Sequence, residues 1–208
     1  MKLKLLLILA LFITTSYAKN TQFILVHDGL IDQRAQEKIN QIGIEAQIKL
    51  KTNIYLHTIE NNGIDMKLSR DERIAKMRAF DKSVLSKFNK NESFVVLTLS
   101  IDQMYANILM SPNLVDIVDK NDILDGYVIP LLASKDKNTL FAKTSAACLN
   151  GYAQIADSLA SNKNIELESS IGSSGKTAGT IWKVFMYSLV LFGIVAYSII
   201  ILKQRKDN

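Results

Sequence analysis

Four aspartates, Asp116, Asp119, Asp122 and Asp125, recur every three residues, and carboxylates are the hard oxygen ligands that calcium and magnesium prefer. With Asp28 they form a candidate Ca2+ or Mg2+ site, in which Asp28, Asp116, Asp119 and Asp122 are the expected ligands. The same residues have a plainer reading. Carboxylates stabilise the positive end of a helix dipole, and a spacing of three sets them on one solvated face. An EF-hand is excluded, because the stretch from Asp119 to Asp122 lacks the required glycine and the bidentate glutamate at its offset.

His27 and His57 are the two histidines, the side chains most naturally recruited for acid–base or metal work. His27 stands beside Asp28 at the carboxyl end of an expected strand, where open α/β sheets bind ligands. His57 falls in mid-strand and reads as an edge or surface residue. Cys148 is the single cysteine, which rules out an intramolecular disulfide. Among Ala146, Ala147 and Leu149 it reads as a small buried hydrophobe. No G-x-S-x-G, H-E-x-x-H, C-x-x-C or Walker pattern occurs, so no catalytic residue is assigned.

The elements that must position these residues follow from periodicity. Phe23 to Val26 reads as a strand closed by the turn His27-Asp28-Gly29. From Ile31 to Leu50, Ala35, Ile39, Ile42, Ala46 and Leu50 recur at three to four positions, the stripe of an amphipathic helix. Asn53 to Glu60 reads as a second strand. Ser69 and Glu72 have the capping-box spacing, and a helix should follow with Ile74, Met77, Val84, Leu85 and Phe88 as its buried stripe. Phe94 to Leu99 and Tyr105 to Met110, joined by a four-residue turn, form a hairpin candidate. A helical segment from Leu114 to Leu132, interrupted near Asn121, and another from Thr139 to Ala160 complete the order. The expected fold class is α/β, a single mixed β-sheet with helices on both faces.

The ends place the domain. Residues 1–18 combine a positive start, the apolar run Leu5 to Ile13 and a small-residue exit at Ser16 and Ala18, the pattern of a cleaved signal peptide. Residues 19–160 form the domain, and the Ser-, Asn- and Gly-rich residues 161–180 a flexible linker. Residues 181–202 include an uncharged run from Val184 to Leu202, long enough for a bilayer core of about 30 Å. The basic residues 203–208 then face the cytoplasm by the positive-inside rule. These features predict a single-pass protein of the inner (cytoplasmic) membrane, its domain facing the periplasm. The formal net charge of +5 is partly carried by the ends, and nucleic acid is not an expected partner.

The order of several segments resembles the TPM-domain family, shared by thylakoid-lumen acid-phosphatase-like proteins, bacterial membrane-anchored homologues and an animal receptor-associated branch. The segments are Val26-His27-Asp28-Gly29-Leu30, the strand Thr52 to Ile59, the hairpin Ser93 to Met110, and Ile123-Leu124-Asp125-Gly126-Tyr127-Val128-Ile129-Pro130. The chain departs from the family where His27-Asp28 replaces an acidic pair, where Asn89-Lys90-Asn91-Glu92 precedes the hairpin, and where Met110-Ser111-Pro112-Asn113-Leu114 follows it. The resemblance implies divalent-cation or phosphatase chemistry, and those departures count against it here. The leading expectation is a degenerate TPM-like module that meets a membrane-protein partner for assembly or repair. The alternatives are a divalent-cation-dependent phosphatase and a small-ligand-binding subunit.

Overall fold

The computed structural model describes residues 22–171 apart from Lys90. The segments read as signal peptide (1–18), membrane span (181–202) and basic tail (203–208) lie outside the described residues. No helix among the described residues is long and apolar enough to cross a membrane.

Four strands form one sheet in the order β1 (Ile24–Val26), β2 (Asn53–Ile59), β3 (Phe94–Ser100) and β4 (Tyr105–Met110). β1, β2 and β3 are parallel, and β4 returns antiparallel to β3 through a tight turn. The sheet is mixed, as the sequence suggests, because the hairpin needs only a short connection while the parallel pairs need helical crossovers.

On one face lie α1 (Gln33–Glu45) and the long α5 (Leu140–Asn162). Ile39, Ile42, Ile54, Leu56, Leu97, Leu99, Tyr152 and Ile155 meet there as the main core. α1 widens into a π turn, Ala46–Leu50, which ends at Lys51 in a left-handed conformation two residues before β2. Gly43 permits this packing: a Cβ there would fall 2.4 Å from the Phe23 ring and 2.6 Å from the Tyr152 hydroxyl.

The other face carries α2 (Arg70–Leu85), started by the Ser69 and Glu72 capping box that the sequence announces. Val84 packs with Phe94, Val96 and Leu109 in a second, smaller core, joined by Tyr55, Phe80, Leu85 and Phe88. The expected stripe is buried only in its second half. Ile74 is 39% exposed, and Met77 half-buried.

Three expectations need correction. The helical segment expected from Leu114 to Leu132, with one interruption near Asn121, is instead a series of short pieces: a 3-10 turn (Pro112–Leu114), α3 (Lys120–Ile123), a π turn (Leu124–Val128) and α4 (Ile129–Leu132). The cause is local: Asp119 adopts an extended backbone and caps α3 through the N–H groups of Asn121 and Asp122. The linker expected from 161 is part of the domain as far as Ile171. Leu167 is 1% exposed in the main core, and the Glu45 carboxylate accepts the N–H groups of Glu168 (2.9 Å) and Ser169 (2.8 Å) and the Ser169 hydroxyl. His57 is not an edge residue, because β2 is an interior strand and the ring is 4% exposed.

α5 runs the full height of the sheet. Leu140 stands by Ser100 and Tyr105 at the carboxyl ends of the parallel strands. Further along, Cys148 meets Thr58, Tyr152 donates to the Ile54 carbonyl, and Lys163 donates to that of Leu50.

Candidate functional site

The carboxyl ends of β2 and β3 and the start of β4 are the position where open α/β sheets leave room for ligands. Two clefts open there, one on each face of the hairpin.

The first, of about 390 Å3, lies between α2 and β4. Arg70, Arg73, Ile74, Met77, Arg78 and Asp81 come from one side of α2, at the three- and four-residue spacings that keep residues on one helix face. Gln103, Tyr105 and Asn107 supply the opposite wall. Tyr105 and Asn107 share a face because side chains alternate along a strand.

Asp81 organises this wall. Its Oδ2 accepts the Tyr105 hydroxyl at 2.6 Å and the Asn107 amide at 2.9 Å. Burial, followed by the hydrogen bond to the Asp81 carboxylate and its charge, pushes the Tyr105 phenol far above its usual range. Tyr105 is therefore a fixed donor. Asp81 Oδ1 and Arg73 Nε are both buried without a hydrogen-bond partner among the described residues. None of the ion pairs among the described residues involves Arg70, Arg73 or Arg78. Buried polar groups of this kind are satisfied by ligand or solvent, and guanidinium forks match carboxylate and phosphate oxygens. The wall offers anion capture, with Ile74, Met66 and Met77 supplying an apolar floor.

Gln103 holds the rim. Its amide donates to Asn61 Oδ1 (3.1 Å) and the Ile64 carbonyl (3.2 Å), while its oxygen accepts the Ser100 hydroxyl (2.6 Å) and the Asn62 N–H (3.1 Å). The loop between β2 and α2 is thereby pinned to the hairpin turn. Deeper on the same face, His57 Nδ1 lies 3.3 Å from Thr98 Oγ1, under the ring of Phe80. Burial, aided by the Lys87 charge, lowers its pKa.

The second cleft, of about 360 Å3, lies on the opposite face between the hairpin and α4. Ile101, Met104, Ala106, Ile129, Leu132 and Leu140 line it. Met104 is 88% exposed, and Leu140 53%.

The residues singled out from the sequence lie elsewhere. Asp28 is exposed in the turn after β1, at φ 43°, and its Oδ2 accepts the Glu60 N–H at 3.0 Å. His27 Nδ1 accepts the Gly29 N–H within the same turn. Asp116 precedes α3, Asp119 caps it, and Asp122 on α3 and Asp125 in the following π turn are exposed. No group of three or more His, Cys, Asp or Glu residues among the described residues is arranged to hold a metal ion. Cys148 is buried as expected. Burial, only partly offset by the 3.4 Å contact with Thr58 Oγ1, pushes its thiol up to about 12.

The arginine wall is absent from the sequence reading, although the spacing of Arg70, Arg73 and Arg78 is helical. What that spacing does not reveal is the hairpin standing opposite.

No family model matches the chain, and no curated protein does. Among solved structures it resembles the NMR structure of BA42 protein from the psychrophilic bacterium Bizionia argentinensis. The two are 13% identical, the match covers 68% of this chain and 93% of that one, and the TM-score is 0.42. At that score the likeness is a distant one of shape.

Proposed function

We propose that this chain is a binding module on the periplasmic side of the inner membrane, held by its apolar segment 181–202, that receives an anionic group of a partner between α2 and β4. One observation carries the reading. Three arginines line a single cleft, none of them engaged in an ion pair among the described residues. Three guanidinium groups against the one carboxylate of Asp81, whose Oδ2 is held by Tyr105 and Asn107, leave the cleft net positive and favour a carboxylate or phosphate ligand over a neutral or cationic one.

The test uses the full chain in detergent, titrated with inorganic phosphate and with citrate while thermal unfolding is followed. An anion held at a hundred times its dissociation constant raises stability by about 2.7 kcal/mol. The shift should disappear in the Arg73→Gln, Arg78→Gln double variant. An equal shift in that variant would show that the anion binds elsewhere, and no shift at any concentration would remove the reading. Protease added to spheroplasts, with a tag after Asn208, checks the orientation: the domain should be digested and the tag protected.

A further inference from the structure

The two clefts lie back to back across β4. That strand is the outer member of the sheet, and no strand pairs with its far side among the described residues. The Ser111 N–H donates to the Phe94 carbonyl, and antiparallel pairing alternates from there. The main-chain groups of Tyr105, Asn107 and Leu109 consequently face β3, and those of Ala106, Ile108 and Met110 face outward. Asn107 Oδ1 accepts the outward Ile108 N–H at 2.9 Å. Among the described residues, the Ala106 and Met110 N–H groups have no hydrogen-bond partner.

An added strand on this edge would send its side chains alternately to the two faces. Those on one face would approach the arginines of α2. Those on the other would approach Met104, Ile129 and Leu132. Resting on the anion-binding reading of the first cleft, we infer that the outer edge of β4 takes up an extended segment of a partner protein in which acidic and apolar side chains alternate. A second copy of this chain fits poorly, because two-fold pairing of two β4 edges keeps like faces together and sets one arginine wall beside the other. An acidic strand neutralises that wall instead.

The experiment compares three fluorescent ten-residue peptides on the full chain in detergent micelles. One alternates Glu and Leu, the second holds the same residues in two blocks, and the third alternates but carries N-methyl groups on every second amide. The alternating peptide should bind at least about tenfold more tightly than the other two, a difference of about 1.4 kcal/mol. It should also slow hydrogen exchange at Ala106 and Met110, and Arg73→Gln should weaken it by a similar factor, with the variant's melting temperature confirming that it is folded. Equal affinity for all three peptides, or unchanged exchange at Ala106 and Met110, overturns the edge-strand inference. If phosphate still binds in that event, the arginine cleft stands without the added strand. If neither phosphate nor peptide binds, both readings fall.

Discussion

The Tyr105 hydroxyl sits 2.6 Å from Asp81 Oδ2, joining the first residue of the outer strand to the last turn of the helix above it. Because the acceptor is a carboxylate, this bond is stronger than a neutral one. Tyr105→Phe should cost about 1.5–2 kcal/mol, the lower part of the range for charged hydrogen bonds, since the pair is only half-buried. Chemical denaturation measures it, and an unchanged midpoint would mean that Asn107 alone satisfies Asp81.

His57 should make the domain acid-sensitive above the carboxylate range. Its pKa is lowered from 6.5 by burial, so the folded state binds the proton less readily than the unfolded chain. Stability is therefore complete above the unfolded value of 6.5 and falls as the pH drops below it. His57→Gln, neutral at every pH, should flatten the melting temperature between about pH 7 and 5.5. A wild-type profile already flat in that window would contradict this account.

A second acid transition belongs to Glu45. Burial raises its pKa, but Lys49, the Ser169 hydroxyl and the N–H groups of Ser169 and Glu168 outweigh that and hold it at about 2, below the ordinary 4.5. The contribution is present above 4.5 and is lost as the pH falls toward 2. Glu45→Gln should remove that dependence and speed hydrogen exchange at Glu168 and Ser169 at neutral pH. Slow exchange there in the variant would show that the apolar contacts of Ile165, Leu167 and Ile171 hold residues 163–171 in place without the carboxylate.

Cys148 is the single cysteine, so thiol labelling reports one site. With its thiol pushed up to about 12 and fully covered by α5 and β2, it should resist a disulfide reagent at pH 8 until the domain opens. Labelling rates should rise with denaturant in step with unfolding. Rapid labelling of the native protein would reveal local opening of α5.

Features governed by neighbours in the chain were legible in the sequence. The Ser69 cap, the bounds of β4 at Tyr105 and Met110, and the start of α5 at Thr139 all depend on a few adjacent residues. The burial of His57 was not, because it follows from the order of strands and not from their composition. Nor was the docking of residues 163–171, where three apolar residues, Ile165, Leu167 and Ile171, suffice in an otherwise polar stretch. The aspartate spacing drew attention to α3, yet those side chains face solvent. Arginines of α2, separated in the chain from Tyr105 and Asn107 by β3, became a site only once the hairpin folded against α2.

The long helix α5 also acts as a ruler. It begins beside the apolar cleft and ends where Lys163 reaches the Leu50 carbonyl, and its 23 residues span about 35 Å at 1.5 Å per residue. The described chain ends at Ile171, in the segment 163–171 that follows the far end of that ruler. A bilayer attachment made there would carry both clefts at the distal tip of a rigid post, and reach toward a partner would be set by the domain's own height.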